Sequence, residues 1–334
     1  MAELKLDVVG IGNAIVDVIA RSDDGFLARE GLDKNAMILV DEVRSAEIYS
    51  RMGPGVEISG GSAGNTIAAM ASLGSRVAYI GKVRDDQLGQ VYRHDMTAQG
   101  ARFATAPATS GAPTARCLVL VTPDGHRTMC TYLGACVDLG PEDLDIEALR
   151  ATKAVYMEGY LFDPPRAKAA FREAASVVRA AGGKVALTLS DSFCVHRYLE
   201  EFRDLVETHV DILFANESEA LALTGTSDYQ AAVAALVGKA ELVVITRSEH
   251  GSVVLSGSEV VAVPAHPVTE VVDTTGAGDL YAAGFLHAWA RGLPPADMAR
   301  AGALAAAEVI SHIGARPETP LADLFRTHLP HAVA

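Results

Sequence analysis

Short apolar runs alternate with longer amphipathic stretches along most of the chain. The apolar runs predict strands at Leu6–Ile11, Val77–Ile80, Ala154–Met157, Val185–Leu189, Asp211–Phe214 and Leu242–Ile245. The stretches between them predict helices at Asn65–Leu73, Gln87–Ala98, Pro165–Ala181, Glu217–Leu223, Tyr229–Val237, Gly278–Ala290 and Ala296–Ile310. Because the strand runs are continuously apolar, we expect a sheet that is covered on both faces. The alternation predicts a three-layer α/β fold, with a mostly parallel sheet flanked by helices.

Two regions, at about residues 14–42 and 104–133, break this alternation. They are richer in Thr, Pro and Gly, and the second contains short strand-like runs at Ala115–Val121 and Arg127–Tyr132. We expect them to form a small antiparallel sheet inserted into one domain that spans residues 1–334. Parallel sheets bind ligands at the carboxyl ends of their strands, so a small sheet at that edge would act as a lid.

Composition excludes some classes of protein. The chain has 334 residues and a formal net charge of −14, which disfavours nucleic acid as a partner. No apolar stretch reaches the roughly 18–20 residues of a membrane helix, and the amino terminus lacks the features of a secretory signal. The four cysteines have no metal-binding spacing, so we expect free thiols and a cytoplasmic protein.

The strongest local motif is Asp273–Asp279, with the sequence DTTGAGD, directly before a predicted helix. Its glycines permit a tight turn, in which the N–H groups of Gly276, Ala277 and Gly278 would form an anion site at a helix N-terminus. A carboxylate beside an anion is unfavourable unless it accepts a proton, so Asp279 is a candidate general base for phosphoryl transfer. The alternative is an ordinary helix start with an acidic first turn, and the motif alone leaves both open.

A second motif is Ser59–Asn65, with the sequence SGGSAGN. Gly60 and Gly61 would let the backbone approach a ligand closely, and Asn65 offers a donor and an acceptor to a polyhydroxy ligand. The same residues fit the GxSxG elbow of serine hydrolases, with Ser62 as nucleophile. That elbow follows a strong buried strand, whereas glycine and proline interrupt the segment before this one.

A third motif is Gly10–Asp17, with the sequence GIGNAIVD, after the first predicted strand. It resembles a dinucleotide fingerprint but lacks the third glycine, which weakens a dehydrogenase assignment. Asn13 and Asp17 could instead bind vicinal hydroxyls, since a carboxylate accepts two hydrogen bonds from a diol. An ordinary turn cap is the alternative.

A fourth motif, Asn216–Glu219, follows the predicted strand Asp211–Phe214. Its oxygens could help to hold hydrated Mg²⁺ beside phosphates, although a capped helix start explains the same residues. The sequence contains no GxxxxGK[ST] loop, so any phosphate site differs from that of P-loop enzymes.

Together and in this order, these segments resemble the ribokinase (PfkB) family of carbohydrate and nucleoside kinases, over nearly the whole chain. The resemblance implies a ribokinase-like core with a β lid and ATP-dependent phosphorylation of a primary hydroxyl. It implies that Asp279 is the base, that Thr275–Gly278 is the anion hole, and that Asn216 and Glu219 organise Mg²⁺. In several relatives a monovalent cation such as K⁺ binds at the positions of Asp273 and Thr275.

Within this family the chain is most similar to the adenosine kinases. The similarity implies that Arg127, in the lid segment His126–Thr128, reaches the transferring phosphate, and that Thr246 and Gly251 contact the nucleotide. The residues it assigns to the substrate are Asn13, Asp17, Met37, Gly60, Gly61, Asn65, Leu133, Ala135, Phe162 and Phe193, with Tyr160 as a further aromatic wall. Met37 and Ser248 depart from the family, which often has a polar residue and a glycine there.

The partners implied are small molecules, namely a nucleoside or, alternatively, a sugar such as ribose or fructose. A non-catalytic nucleotide sensor on the same scaffold is a further alternative, against which the intact Asp279 argues. We expect a monomer, or a homodimer that forms through the lid.

Overall fold

The computed structural model describes residues 5–162 and 164–332. Its strands are β1 (Leu6–Ile11), β2 (Ile15–Arg21), β3 (Met37–Leu39), β4 (Gly55–Ser59), β5 (Val77–Ile80), β6 (Ala115–Val121), β7 (Arg127–Tyr132), β8 (Thr152–Glu158), β9 (Lys184–Thr188), β10 (Ile212–Asn216), β11 (Leu242–Thr246), β12 (Ser252–Ser256) and β13 (Glu259–Val263). Its α-helices are α1 (Asp24–Glu30), α2 (Glu42–Arg51), α3 (Ser62–Ser72), α4 (Gln87–Ala98), α5 (Ile146–Arg150), α6 (Pro165–Ala180), α7 (Ser192–Arg197), α8 (Leu199–Thr208), α9 (Glu217–Thr224), α10 (Tyr229–Leu236), α11 (Ala277–Ala290), α12 (Pro295–Val309) and α13 (Leu321–His328).

A large sheet of eight strands forms the middle layer, in the order β13-β12-β11-β10-β9-β8-β1-β5. The pairs from β11 to β5 are parallel, and the β12–β13 hairpin adds two antiparallel strands at one edge. Two apolar clusters cover its faces, one including α3, α11 and α12 and the other α6, α8 and α9. The predicted three-layer α/β fold is therefore confirmed.

A second sheet has five strands in the order β3-β7-β6-β2-β4. One face, with Val16 and Val18 of β2, packs against Phe26 of α1 and Ile48 of α2 in the first apolar cluster. Asp17 alternates with those residues, so it lies on the opposite face.

The small sheet differs from the prediction in two respects. It is mixed rather than antiparallel, because β2 pairs parallel with β6 and β3 pairs parallel with β7. These partners come from different parts of the chain, and only a hairpin requires its two strands to be antiparallel. β4 also lies outside the two predicted insertions, directly after Gly53 and Pro54.

Residues 1–4, on which the signal-peptide expectation partly rests, lie outside the described residues. Within the described residues, no helix combines the length and apolar character needed to cross a bilayer.

Candidate active site

Polar side chains collect at the carboxyl ends of the parallel strands. Asn13 follows β1, Glu158 ends β8, and Asn216 ends β10 in register with Thr246 at the end of β11. Parallel strands bring these ends to one edge of the sheet, where α/β proteins bind their ligands. All four sequence motifs lie at this edge: those with Asn13 and Asn216 follow its strands, and Ser59–Asn65 contacts both Glu158 and Asp279.

The turn before α11 leaves backbone donors free. Gly276 caps the helix with a φ of 78°, a left-handed conformation that favours glycine. Ala277 N donates to Thr274 O (3.2 Å), whereas Gly276 and Gly278 have no acceptor for their N–H groups within the described residues. A Cβ added to Gly278 would meet no atom within 4 Å, so the turn is open on that side. The helix N-terminus therefore has the geometry of an anion site.

Asp279 lies in the first turn of α11 and is held by the first turn of α3. Ser62 Oγ donates to Asp279 Oδ1 (2.6 Å), and Asn65 Nδ2 donates to Asp279 Oδ2 (2.9 Å). Burial raises the pKa of Asp279, and these two donors oppose that increase. A buried carboxylate whose orientation is fixed by hydrogen bonds beside an anion site can accept a proton from an alcohol.

Two glycines allow the Ser59–Asn65 loop to lie against β1 and β2. Gly61 has a φ of 81°, and a Cβ there would be 2.1 Å from Asn13 O. A Cβ on Gly60 would be 2.4 Å from Asp17 Oδ2. The paired glycines thus bring the second and third sequence motifs into direct contact.

Glu158 is a site residue that the sequence analysis did not identify. Its side chain is buried, and its carboxylate accepts from Asn13 Nδ2 (2.9 Å) and from Ala63 N (2.8 Å) at the start of α3. Burial raises the pKa of Glu158 to about 7, although these donors lower it. The one signal in the sequence is an acidic residue directly after the apolar run Ala154–Met157.

Asp17 and Arg127 lie on the same face of the small sheet, since Asp17 is aligned through Cys117 with Thr131, and Arg127 precedes Thr131 by four residues in β7. Burial raises the pKa of Asp17 to about 7, opposed by the positive charges of Arg316 and Arg127. The Arg127 guanidinium contacts the carboxylate of Asp273, which also accepts from Thr275 N (3.0 Å). Arg127 thus neutralises the Asp273 carboxylate, which the resemblance implies as part of a monovalent-cation site.

Asn216 and Glu219 form a reciprocal cap at the start of α9. Asn216 Oδ1 accepts from Glu219 N (2.9 Å), and Glu219 Oε2 accepts from Asn216 N (3.0 Å). Burial raises the pKa of Glu219 to about 7. Within the described residues, no group of three His, Cys, Asp or Glu side chains could hold a metal ion directly. The oxygens of both side chains accept hydrogen bonds within this cap, so the two residues do not form a direct ligand set, and a role toward Mg²⁺ held through water stays a prediction.

The candidate nucleotide loop joins β11 to β12. Arg247 N donates to Gly251 O (2.8 Å), and Ser248 has a φ of 48°. Serine therefore adopts the left-handed backbone conformation of the glycine that the family usually has at this position.

Four predicted substrate residues have contrasting environments. Phe162 is wholly buried, with its ring 4.6 Å from that of Phe202, and Ala135 is also buried. Phe162 packs with Phe171 and Phe202 in the second apolar cluster, and contact of Phe162 or Ala135 with a ligand stays a prediction. Met37 and Phe193 are 52% and 78% exposed.

A cavity of about 410 Å³ lies beside the segment that leads into the Gly276 turn. His266–Thr269 line one side, and Leu304, Ala307 and Glu308 of α12 line another. Val272 N donates to Ile310 O (2.8 Å), which joins this segment to the end of α12.

Comparisons with known proteins agree with this arrangement. The model of the pfkB family carbohydrate kinases matches residues 34–322. A solved adenosine kinase from Sinorhizobium meliloti is 55% identical, with a TM-score of 0.90 over 97% of this chain and 99% of that one. A probable sugar kinase from Rhizobium etli CFN 42 is 48% identical, with a TM-score of 0.90 over 97% and 98% of the two chains.

An adenosine kinase from Schizophyllum commune is 30% identical over 94% of this chain and 98% of its own length. The hydrolase interpretation of Ser62 finds no support, because Ser62 donates to Asp279 and no histidine contacts it within the described residues. From the fold, the anion site beside Asp279 and these matches, the chain belongs to the pfkB family of carbohydrate kinases.

Proposed function

We propose that this chain is an ATP-dependent nucleoside kinase that transfers the γ-phosphate to the 5′-hydroxyl of adenosine and gives AMP. The observation that carries the proposal is the Asp279 carboxylate, which Ser62 and Asn65 hold beside the free N–H groups of Gly276 and Gly278. A role in purine salvage in the cytoplasm goes with this activity.

Asp17, Asn13 and Asn65 bind the ribose in this proposal. Within the described residues, the buried Asn65 Oδ1 has no hydrogen-bond partner and the Asp17 carboxylate has no donor. Ribose hydroxyls would satisfy both groups, since an unpaired buried acceptor costs roughly 1–3 kcal/mol. Glu158 orients Asn13 for the same purpose.

The base would lie on the small sheet. Asp17 and Ile19 share one face of β2, and the strand pairing places Val119 opposite Ile19, Met129 opposite Val119, and Met37 opposite Met129. Directly opposed residues point to the same face, so an apolar surface adjoins the carboxylate that binds ribose. This surface favours a nucleoside over a bare sugar.

Transfer would proceed in line, with the bond from the γ-phosphorus to the ADP oxygen breaking as the bond to the 5′-oxygen forms. Asp279 accepts the hydroxyl proton, and the N–H groups of Gly276 and Gly278 stabilise the developing negative charge. Asn216 and Glu219 would hold Mg²⁺ through water, and the ion would supply charge neutralisation of the phosphates. The adenine of ATP fits the cavity beside His266–Thr269, and Thr246 and Gly251 border the nucleotide.

The small sheet would close over the substrates and exclude water, which otherwise competes with the nucleoside as acceptor. Arg127 would then turn from Asp273 toward the transferring phosphate. K⁺ at Asp273 and Thr275 belongs to the same proposal, because it would neutralise Asp273 once Arg127 leaves.

A substrate panel tests the activity. ATP is supplied with adenosine, inosine, guanosine, cytidine, ribose or fructose, ADP release is measured, and the product is identified by phosphorus NMR. We expect the highest kcat/KM with adenosine and a phosphate on its 5′-oxygen.

The matching probable sugar kinase from Rhizobium etli CFN 42 favours a sugar as the second candidate acceptor. A higher kcat/KM with ribose or fructose would select it. Nucleotide binding without any phosphorylated product would select the sensor.

A further inference from the structure

Arg316 binds the Ser59–Asn65 loop, although the two lie near opposite ends of the sequence. It lies after α12, and its Nη2 donates to Ser59 O (2.6 Å) and Ser59 Oγ (2.9 Å). Its Nη1 donates to Gly64 O (3.1 Å) and, more weakly, to Asn65 O (3.4 Å). All these acceptors are neutral, and no carboxylate of the described residues lies within ion-pair distance. The guanidinium therefore has no carboxylate in direct contact, and its charge interacts at longer range with Asp17, Asp95 and Asp279.

The residues next to Arg316 contact the other half of the site. Gly314 N donates to Asp273 Oδ2 (2.9 Å). A Cβ on Gly276 would be 2.8 Å from Ala315 Cβ, so residue 315 packs directly on the turn before α11. Residues 314–316 thus connect the anion-site turn to the loop that begins α3.

This connection bears directly on Asp279. The two side chains that hold its carboxylate, Ser62 and Asn65, lie in the turn whose carbonyls Arg316 binds. Two further anchors hold the same loop, since Asp95 Oδ2 accepts from Ser59 N (2.9 Å) and Tyr92 donates to Gly60 O (3.3 Å). Of these three anchors Arg316 is the one with a positive charge, and that charge favours the ionised forms of Asp17 and Asp279.

We propose that Arg316 is a positioning residue for phosphoryl transfer. It fixes the first turn of α3 so that Ser62 and Asn65 hold Asp279 toward the acceptor hydroxyl, and its charge favours the carboxylate that accepts the proton. This inference rests on the proposed function, and it assigns Arg316 no contact with either substrate.

Two substitutions separate geometry from charge. Arg316→Lys keeps the positive charge but loses the fork that binds several carbonyls at once, whereas Arg316→Met loses both. Arg179→Met is the matched control, because Arg179 is an exposed residue of α6 that also donates to a backbone carbonyl, that of Thr208 in α8. The titratable groups that face Asp279 are Arg316, Glu158, Asp17, Tyr156 and Tyr160.

The readouts are kcat, KM for adenosine and the acid limb of the kcat–pH profile. We expect Arg316→Met to lower kcat by about 10²-fold, the order of effect that a displaced catalytic group produces. Its acid limb should move to higher pH, because the pKa of Asp279 loses a favourable charge. Arg316→Lys should lower kcat while leaving the acid limb in place, and Arg179→Met should match the native protein.

Unchanged kcat in both Arg316 variants would overturn the proposal. So would an equal loss in both with an unmoved acid limb, which is the result expected from a purely structural role. If Arg316→Met does not fold, as judged by circular dichroism, Arg316→Lys decides alone, since native kcat in it overturns the positioning role. A native protein that phosphorylates none of the acceptors refutes the proposed function instead.

Discussion

Replacing Glu158 by glutamine should change how the stability of the protein depends on pH. The carboxylate is buried and its pKa is raised from 4.5 to about 7. The folded protein therefore binds a proton more tightly than the unfolded chain, and stability is lost as pH rises from about 4.5 through 7. A difference of about 2.5 pH units corresponds to about 3 kcal/mol. Glutamine cannot ionise, so this loss should be absent from the variant.

The measurement is urea unfolding of the native protein and Glu158→Gln at pH 5 and pH 8. Glutamine keeps an oxygen for Asn13 Nδ2 but not a second acceptor for Ala63 N, so we expect a pH-independent cost of about 1–3 kcal/mol. As pH rises from 5 to 8, the free energy of unfolding of the variant should increase relative to that of the native protein, because only the native protein loses stability over this range. Glu173→Gln, on the exposed face of α6, is the control for replacing a carboxylate by an amide. A stability difference that does not change with pH would refute the reasoning.

Three further predictions follow from single positions. Ser248→Gly should raise the free energy of unfolding by about 1 kcal/mol, because it relieves a left-handed serine with a φ of 48°, and a lower Tm by calorimetry would contradict this. Burial lowers the pKa of His287 to about 4, so the free energy of unfolding of the native protein should fall by about 3 kcal/mol as pH falls from 6.5 to 4. His287→Gln should reduce this fall in urea unfolding. An equally steep fall in the variant would contradict the prediction. Gly278→Ala should keep the native Tm, because its Cβ points into open space, but lower kcat/KM for ATP by up to about 10²-fold; native kinetics would show that phosphate does not approach Gly278.

Much of the fold could be predicted because buried parallel strands are continuously apolar. Leu6–Ile11 and Val77–Ile80 were predicted with their observed bounds for that reason. β12 and β13 were missed although each contains a short apolar run, and β13 is exposed along most of its length. β4 was missed because Gly53 and Pro54 suggested a loop. Local propensity could not reveal a strand that forms by pairing with distant β2.

The residues of the site also differ in whether the sequence carries a local signal for them. Asp279 and the Gly276–Gly278 turn could be identified because a helix N-terminus is a local structure with a local sequence signal. Glu158 and Arg316 could not, since a lone charged residue in a sequence does not indicate which buried donors or carbonyls it will meet. The Asn216–Glu219 segment was read correctly as a possible helix cap, and its role toward Mg²⁺ stays a prediction.

The role of Asp279 is tested most directly by Asp279→Asn, assayed for AMP formation from ATP and adenosine, with nucleotide binding measured in parallel. Asparagine retains the size of the side chain and can still hydrogen-bond Ser62 or Asn65, so the fold and ATP binding should persist. We expect kcat to fall by about 10²–10⁴-fold, the contribution of a general base. A variant that binds ATP and turns over adenosine at the native rate would contradict the assignment of Asp279 as the proton acceptor.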